Sequence, residues 1–266
     1  MGLSVCIITR NEEDDLPRCL ASVLGLATQI VVVDSHSTDR TVEIARAAGA
    51  EVIARDFSGM ASQKAFALTH AREDWVLNLD ADEWLDDELR TAIADVVSGV
   101  AGGNLVGHEL NRRNEYLGAW IEHCGWSPEW RLRLVRRGHG RFEGRDPHDR
   151  LVADGPVGRL AGRMCHRPYA SLAEHVQKVN SYTDTMAAQR FAAGESATFG
   201  RLLLRPPARF LRMYLWQSGW RDGWRGLVVS GMGAFYVFLR YAKLRAADRP
   251  AGKGGGGPAG GVSTGD

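Results

Sequence analysis

The 266-residue chain is 44% hydrophobic and carries a formal net charge of +1, the profile of an ordinary globular protein with room for one large domain and an appended module. Its four cysteines (Cys6, Cys19, Cys124, Cys165) include no CxxC pair, which argues against a disulfide framework or a cysteine zinc site and suits a reducing compartment. The near-neutral total conceals a division: residues 199–245 hold nine Lys and Arg against one acid, Asp222, so that segment is +8 and the remainder −7. A mildly acidic body precedes a strongly basic section.

The first hundred residues alternate strand and helix signals. Leu3–Thr9 (LSVCIIT) is a short apolar, β-branched run of the kind found in buried parallel strands. It is too short for a signal-peptide core and no basic stretch precedes it, so a cytosolic body is expected. Asn11 is placed to cap the next segment, where Leu16, Leu20, Val23 and Leu24 recur at helical spacing. Ile30–Val33 predicts a second strand, ended by the polar cluster Asp34-Ser35-His36-Ser37-Thr38-Asp39. A helix over 40–48 stops at Gly49, Glu51–Ala54 starts a third strand, and 60–72 is again helical. Trp75–Leu79 (WVLNL) is a fourth strand running into Asp80.

Repeated βα units imply a parallel sheet covered by helices on both faces, with ligands bound beyond the carboxyl ends of the strands. Arg10, Asn11 and Glu12 after strand one, Asp34 and Asp39 after strand two, and Asp80 and Asp82 after strand four all fall at that edge. Further along, 105–112 and 131–136 read as strands, with Trp126 and Trp130 nearby as either a platform for a sugar face or core packing. Residues 171–193 predict an amphipathic helix, and the Gly-rich tail over 246–266 is expected to be disordered.

Asp80-Ala81-Asp82-Glu83 directly after an apolar strand is the sharpest chemical signal. Carboxylates at a rigid sheet edge can hold a hard divalent cation whose shell is completed by phosphate oxygens. A solvated acidic helix cap would have the same local sequence.

Strand one with Thr9-Arg10-Asn11-Glu12, VVVDSHSTDRT at 31–41 and NLDADEW at 78–84 resemble, in order and spacing, the family 2 glycosyltransferases of the GT-A fold. The resemblance implies an α/β GT-A domain that binds a nucleotide sugar. It implies that Thr9, Asn11 and Glu12 flank the uridine and that Asp34 accepts from the uracil edge. Asp82 would be the chief ligand of Mg²⁺ or Mn²⁺, and Asp80 a second ligand or a contact to ribose or a metal-bound water. Asp39 would fix the Asp34 loop as a helix cap. Lys64 and Arg55 would reach the donor phosphates or ribose, or simply be solvated helix positions.

A narrower resemblance lies in FSGMASQKAFAL at 57–68, WSPEWRLRLVRRGHGRF at 126–142 and His148-Asp149. These are similar to the lipopolysaccharide inner-core β-glucosyltransferases, with Ala65 where Asn is usual and Asp149 where Glu is usual. An inverting transfer needs one carboxylate to take the proton from the acceptor hydroxyl. Asp149 is the candidate, with Asp146 as its nearest competitor and His148 as a phosphate or supporting contact. Otherwise Asp149 is a surface residue paired with Arg145 or Arg150.

The expected organisation is a nucleotide-sugar-binding part at 1–100, an acceptor-side part at 101–170, and a basic helical module at 171–245. In the module the longest uncharged stretch, 226–239, is fourteen residues and contains three glycines, short of the about 20 apolar residues of a spanning helix. Trp216, Trp220 and Trp224 recur among arginines, which suits a helix lying on an anionic membrane surface. Packing on the catalytic domain is the alternative. Nucleic acid is not expected, since no reading motif is present.

The resulting expectation is transfer of a hexose, from UDP-glucose, onto a saccharide of a lipid-linked glycan at the inner face of the cytoplasmic membrane. The alternatives are a polyprenyl-phosphate glycosyltransferase, which would not need Asp149 as base, and a non-enzymatic nucleotide-binding scaffold. A dinucleotide-dependent dehydrogenase is disfavoured because TRNEED after strand one lacks G-x-G-x-x-G.

Overall fold

Strand β1 (Leu3–Thr9) is buried along its whole length and sits between β2 (Gln29–Asp34) and β4 (Trp75–Asp80), parallel to both. The structure, a computed structural model, describes residues 1–144 and 149–247. Residues alternate across β1 as a strand requires. Leu3, Val5 and Ile7 enter one apolar cluster and Cys6 and Ile8 another, one on each face of the sheet. The first cluster is closed by α1 (Leu16–Val23) and α4 (Asp87–Ser98), whose buried residues are Leu16, Cys19, Leu20 and Val23 and Leu89, Ile93, Val96 and Val97. The second is closed by α3 (Met60–Thr69) through Ala67 and Phe66. Full burial of one such aliphatic side chain contributes roughly 1.5–3 kcal/mol, so these two layers hold the sheet edge rigid.

The sheet continues beyond the parallel set. Its order is β3-β2-β1-β4-β8-β6-β12-β5, with β3 spanning Glu51–Ala54, β5 Glu83–Leu85, β6 Gly107–Tyr116, β8 Glu129–Arg136 and β12 Met164–His166. β8 runs antiparallel to both β4 and β6, and β12 is parallel to β6 and antiparallel to β5. The short β7 (Ala119–Ile121) and β11 (Val157–Arg159) flank β6, while β9 (Gly140–Glu143) and β10 (Arg150–Ala153) form a separate hairpin. α2 (Thr41–Ala47) completes the βα alternation.

Two local expectations change. Asn11 does not cap α1: the cap is Asp15, and Asn11, at a positive φ of 57°, turns its side chain to the second loop instead. The strand expected at 105–112 begins later and reaches Tyr116.

The C-terminal module consists of α5 (Leu172–Ala192), α6 (Phe199–Leu211), a π turn and a 3-10 turn over 212–222, and α7 (Gly223–Ala247). Ser171 and Thr198 cap α5 and α6 through their hydroxyls. The one acid of the basic segment docks the module: Asp222 accepts from the backbone N–H groups of Glu122 (3.3 Å) and His123 (3.0 Å) and from His123 Nδ1 (2.8 Å). Met213 and Val229 pack with Tyr116, Ile121 and Cys124. A Cβ at Gly226 would lie 1.8 Å from the Gly219 carbonyl oxygen, so only glycine permits that close approach.

At 25 residues, α7 exceeds the uncharged stretch within it. With the preceding turn it is long and apolar enough, by length and composition, to cross a membrane, and 22% of its most apolar stretch is buried. The length argument against a spanning helix therefore fails. Its Val237, Tyr241 and Leu244 nonetheless pack with Ala187 and Ala197 around α5. The tail beyond Ala247 lies outside the described residues.

Candidate active site

Three strands end together. The registers Thr9↔Asp34 and Ile8↔Asp80 bring the termini of β1, β2 and β4 to one edge. There Asp34, 2% exposed, accepts from Thr9 Oγ1 (2.9 Å), Ser37 Oγ (2.5 Å) and the Ser37 backbone N–H (2.9 Å). The loops after β1 and β2 are laced together. Thr38 N–H donates to Asn11 Oδ1 (2.8 Å), Asn11 N–H to Ser37 Oγ (2.8 Å) and Glu12 N–H to Thr41 Oγ1 (2.7 Å). Asp39 joins the lacing by accepting from Glu13 and Thr41 N–H. The expected nucleotide-side residues thus share one rigid rim.

The DxD segment is split into two environments. Asp80 Oδ1 lies 2.8 Å from Lys64 Nζ and Oδ2 lies 2.8 Å from Arg133 Nη2. Burial raises the Asp80 carboxyl, but Arg133 and Lys64 outweigh it and hold it well below the ordinary carboxylate range. Arg133 in turn donates to Asn78 Oδ1 (3.0 Å) and to Glu83 Oε1 (2.7 Å), and Glu83 is fully buried. Both oxygens of Asp80, expected as a second metal ligand or as a contact to ribose or a metal-bound water, lie within ion-pair distance of a cation.

Asp82 faces the other way. Its Oδ2 lies 3.3 Å from His166 Nε2, because the antiparallel register His166↔Glu83 sets the end of β12 beside the turn that carries Asp82. Asn114 Nδ2 donates to the Trp126 carbonyl (3.2 Å), which fixes the amide, so Asn114 Oδ1 accepts from His166 Nδ1–H at 2.6 Å. With Nδ1 so engaged, Nε2 is the ring atom that faces the Asp82 carboxylate. Burial pushes Asp82 up and His166 more than offsets it, leaving Asp82 below its ordinary value. Close by, Glu12 is pushed up to about 8 by burial, with the charges of Asp82 and Asp15 adding to the shift.

A carboxylate such as Asp82 is the ligand type that Mg²⁺ or Mn²⁺ prefers, with phosphate and water oxygens to complete the shell. Among the described residues no three His, Cys, Asp or Glu side chains come together as a metal-holding group. The charges of Asp82 and Asp15, which add to the burial that raises Glu12, are of the kind a divalent cation would offset.

Lys64 links the DxD edge to the candidate base. Its ammonium, 5% exposed, also lies 3.5 Å from Asp149 Oδ2. Asp149 is not paired with Arg150, which turns to Glu143 at 3.6 Å. Asp146, His148 and Arg145 lie outside the described residues.

Other candidate residues have partners within the fold. Arg55 is held by Ser62 and Gln63 and stacks on Phe66. Gln63, fully buried, donates to Ser35 Oγ (2.9 Å) and so ties α3 to the loop after β2. Trp126 packs edge-on to Tyr116, and Trp130 lies under Arg159. Sequence reasoning gave no role to His166, Arg133 or Glu83; Glu83 adjoins the DxD and Arg133 lies in the 126–142 motif, whereas His166 had no local signal.

The mixed sheet, whose parallel half ends in laced loops and a split carboxylate pair, has a GT-A-like fold. The description "Glycosyl transferase family 2" matches residues 4–151, more than half of the chain, and the chain belongs to that family. It is 35% identical over 256 residues to the "Lipopolysaccharide core biosynthesis glycosyltransferase LpsC" of Rhizobium meliloti, covering 92% of each chain. It is 31% identical over 252 residues to the uncharacterized glycosyltransferase RT0209 of Rickettsia typhi, covering 91% of this chain and 86% of the relative. Among solved structures, the mannosyltransferase PcManGT of Pyrobaculum calidifontis, in complex with GDP-Man and Mn²⁺, shares the fold. Its TM-score is 0.55 at 14% identity, over 93% of this chain and 88% of that one. Membership of an enzyme family with this fold displaces both the scaffold and the dehydrogenase alternatives.

Proposed function

We propose that the protein is an inverting, metal-dependent hexosyltransferase that moves glucose from UDP-glucose onto a saccharide of a lipid-linked glycan such as lipopolysaccharide core. The observation that carries this reading is Lys64, whose ammonium joins Asp80 of the DxD to Asp149. A donor-side carboxylate and a candidate base thereby meet across one side chain. The name of the Rhizobium relative supports the acceptor class.

Thr9, Asn11, Glu12 and Asp34 frame the base and ribose. Three donors already reach Asp34, leaving one of a carboxylate's roughly four acceptor sites for the uracil N–H. Asp82, with His166 Nε2 facing its carboxylate, would hold the cation, and Asp80 stays with Lys64 and Arg133. When bound, the cation neutralises charge on the departing diphosphate. Asp149 takes the proton of the acceptor hydroxyl as its oxygen attacks the anomeric carbon from the face opposite the diphosphate. Lys64 holds that carboxylate and faces the diphosphate side. The exposed apolar residues of α6, set among arginines, support contact with the cytoplasmic face of an anionic membrane.

The test is a nucleotide-sugar panel on truncated lipopolysaccharide core, with Mg²⁺, Mn²⁺ or chelator. Transfer from UDP-glucose that chelator abolishes is expected. Transfer only from guanosine-linked sugars, or undiminished by chelator, would reject the donor or the metal assignment respectively.

A further inference from the structure

Four arginines line one cavity of about 380 Å³ at the seam of α6 and α7: Arg205, Arg209 and Arg212 from one side and Arg240 from the other, with Tyr236 between. The spacing of 205, 209 and 212 puts three guanidinium groups on one face of the α6 segment and its continuation. Among the described residues, none of the four has a carboxylate within ion-pair distance, whereas Arg112, Arg133, Arg150 and Arg159 of the sheet half each pair with an acid. Arg240 Nε is buried and has no hydrogen-bond partner, although the guanidinium lies over the rings of Tyr236 and Tyr241. Arg209, solvent-exposed like Arg205 and Arg212, is held below the usual arginine range by partial desolvation and by the charges of Arg212 and Arg240. Like charges gathered around a cavity repel one another, and a buried N–H without an acceptor is costly.

We propose that this cavity is an anion site that takes the phosphate of a phosphate ester, gripped by Arg209 and Arg240 within the ring of four guanidinium groups. The planar fork of arginine matches phosphate oxygens two at a time, and a dianion relieves the repulsion that the cluster now carries. A carboxylate ligand would supply one charge to four cations. The cavity is larger than a phosphate group needs, so the rest of the ester has room. Leu204, Leu211, Leu215 and Trp216 stand exposed around α6 and its end, an apolar border that suits an ester whose remainder is lipid or glycolipid. The site is lined by residues of the module alone and does not depend on the donor assignment.

Binding of the full chain is measured to inorganic phosphate, by thermal shift against chloride at equal ionic strength, and to phosphatidylcholine vesicles with and without phosphatidic acid. R209Q/R240Q is compared with R201Q/R221Q, which removes the same charge from exposed basic positions outside the cavity. The cavity double variant should lose at least about tenfold in affinity and the control less than about twofold. If R209Q/R240Q does not fold by circular dichroism, R205Q at the exposed mouth takes its place, with R201Q as its control. A specific loss for phosphatidic acid vesicles identifies a lipid headgroup. A specific loss for inorganic phosphate alone identifies a soluble or glycan-borne phosphate ester. Equal losses in the cavity and control variants would reduce the cluster to a diffuse basic field, and no loss in either would remove the site; both overturn the proposal.

Discussion

The sheet half and the helical module treat charge in opposite ways. Around the DxD, Arg133, Arg112, Lys64, Asp80, Glu83 and Glu129 form one paired network, most of it withdrawn from water. In α6 no residue is buried, and its arginines find no acids among the described residues. The first pattern spends charge on fixing geometry for a small ligand, where a displaced carboxylate would mean lost chemistry. The second leaves charge and apolar surface facing outward, as a contact with something larger or external requires. Substitutions of one side chain should therefore be severe for chemistry in the sheet half and mild for stability in α6.

The largest effect is expected from Asp82→Ala. Loss of the carboxylate beside His166 should lower transfer by roughly 10³-fold or more, since neutralising the leaving diphosphate is worth several kcal/mol. It should also erase the difference in UDP affinity between Mn²⁺ and chelator in titration calorimetry. Wild-type affinity that is equal in both conditions would break the metal reading. Next comes Asp149→Asn, expected to cut transfer by roughly 10²–10⁴-fold, the usual contribution of a positioned base, while leaving UDP and metal affinity unchanged. Retained transfer would shift the acceptor toward one already ionised, such as a polyprenyl phosphate.

These two sites differ in how far they were legible. Asp82 follows an apolar run long enough to announce a buried strand, and β1, β2, β3 and β4 lie close to where their sequences predict. His166 was illegible because β5 and β12 are three residues each, too short to show any period, and their meeting is a long-range antiparallel register. Asn11 misled for a different reason: a residue that suits a helix cap also suits the left-handed turn it adopts. The length of α7 was hidden by its glycines. A Cβ at Gly233 would meet Met213 Sδ at 2.4 Å, so that glycine marks a close packing rather than a break.

A pH experiment sharpens the contrast within the interface that joins the two regions. His175 of α5 is 4% exposed, its Nδ1 lies 2.8 Å from the Tyr116 hydroxyl and its ring stacks on Tyr169. Burial pushes it down to about 4, with Lys178 adding to the shift. A base whose folded value is depressed protonates first in the unfolded chain, so stability is lost as pH falls from about 6.5 toward 4. The loss is at most about 3 kcal/mol, and His175→Gln should flatten that limb in denaturant titrations. An unchanged limb would place the acid sensitivity elsewhere.

The smallest effect on stability is expected on the exposed side of α6 and of the π turn that follows it. Leu204 and Trp216 are 67% and 88% exposed, so in Leu204→Gln/Trp216→Gln neither site loses core packing, and surface changes of this kind usually stay within about 0.5 kcal/mol each. Melting temperature should be nearly unchanged. Partition onto anionic vesicles should fall, because each apolar side chain withdrawn from water contributes in proportion to its buried area and the arginines supply only the attraction to the surface. Added salt separates the two contributions: it should weaken wild-type binding by screening the arginines while the apolar share persists, and the double variant should lose nearly all binding at high salt. A marked drop in melting temperature would mean that this face packs on protein. Unaltered partition would mean that the membrane lies against another surface, and the contrast between a closed catalytic half and an outward-facing module would then rest on the arginine cluster alone.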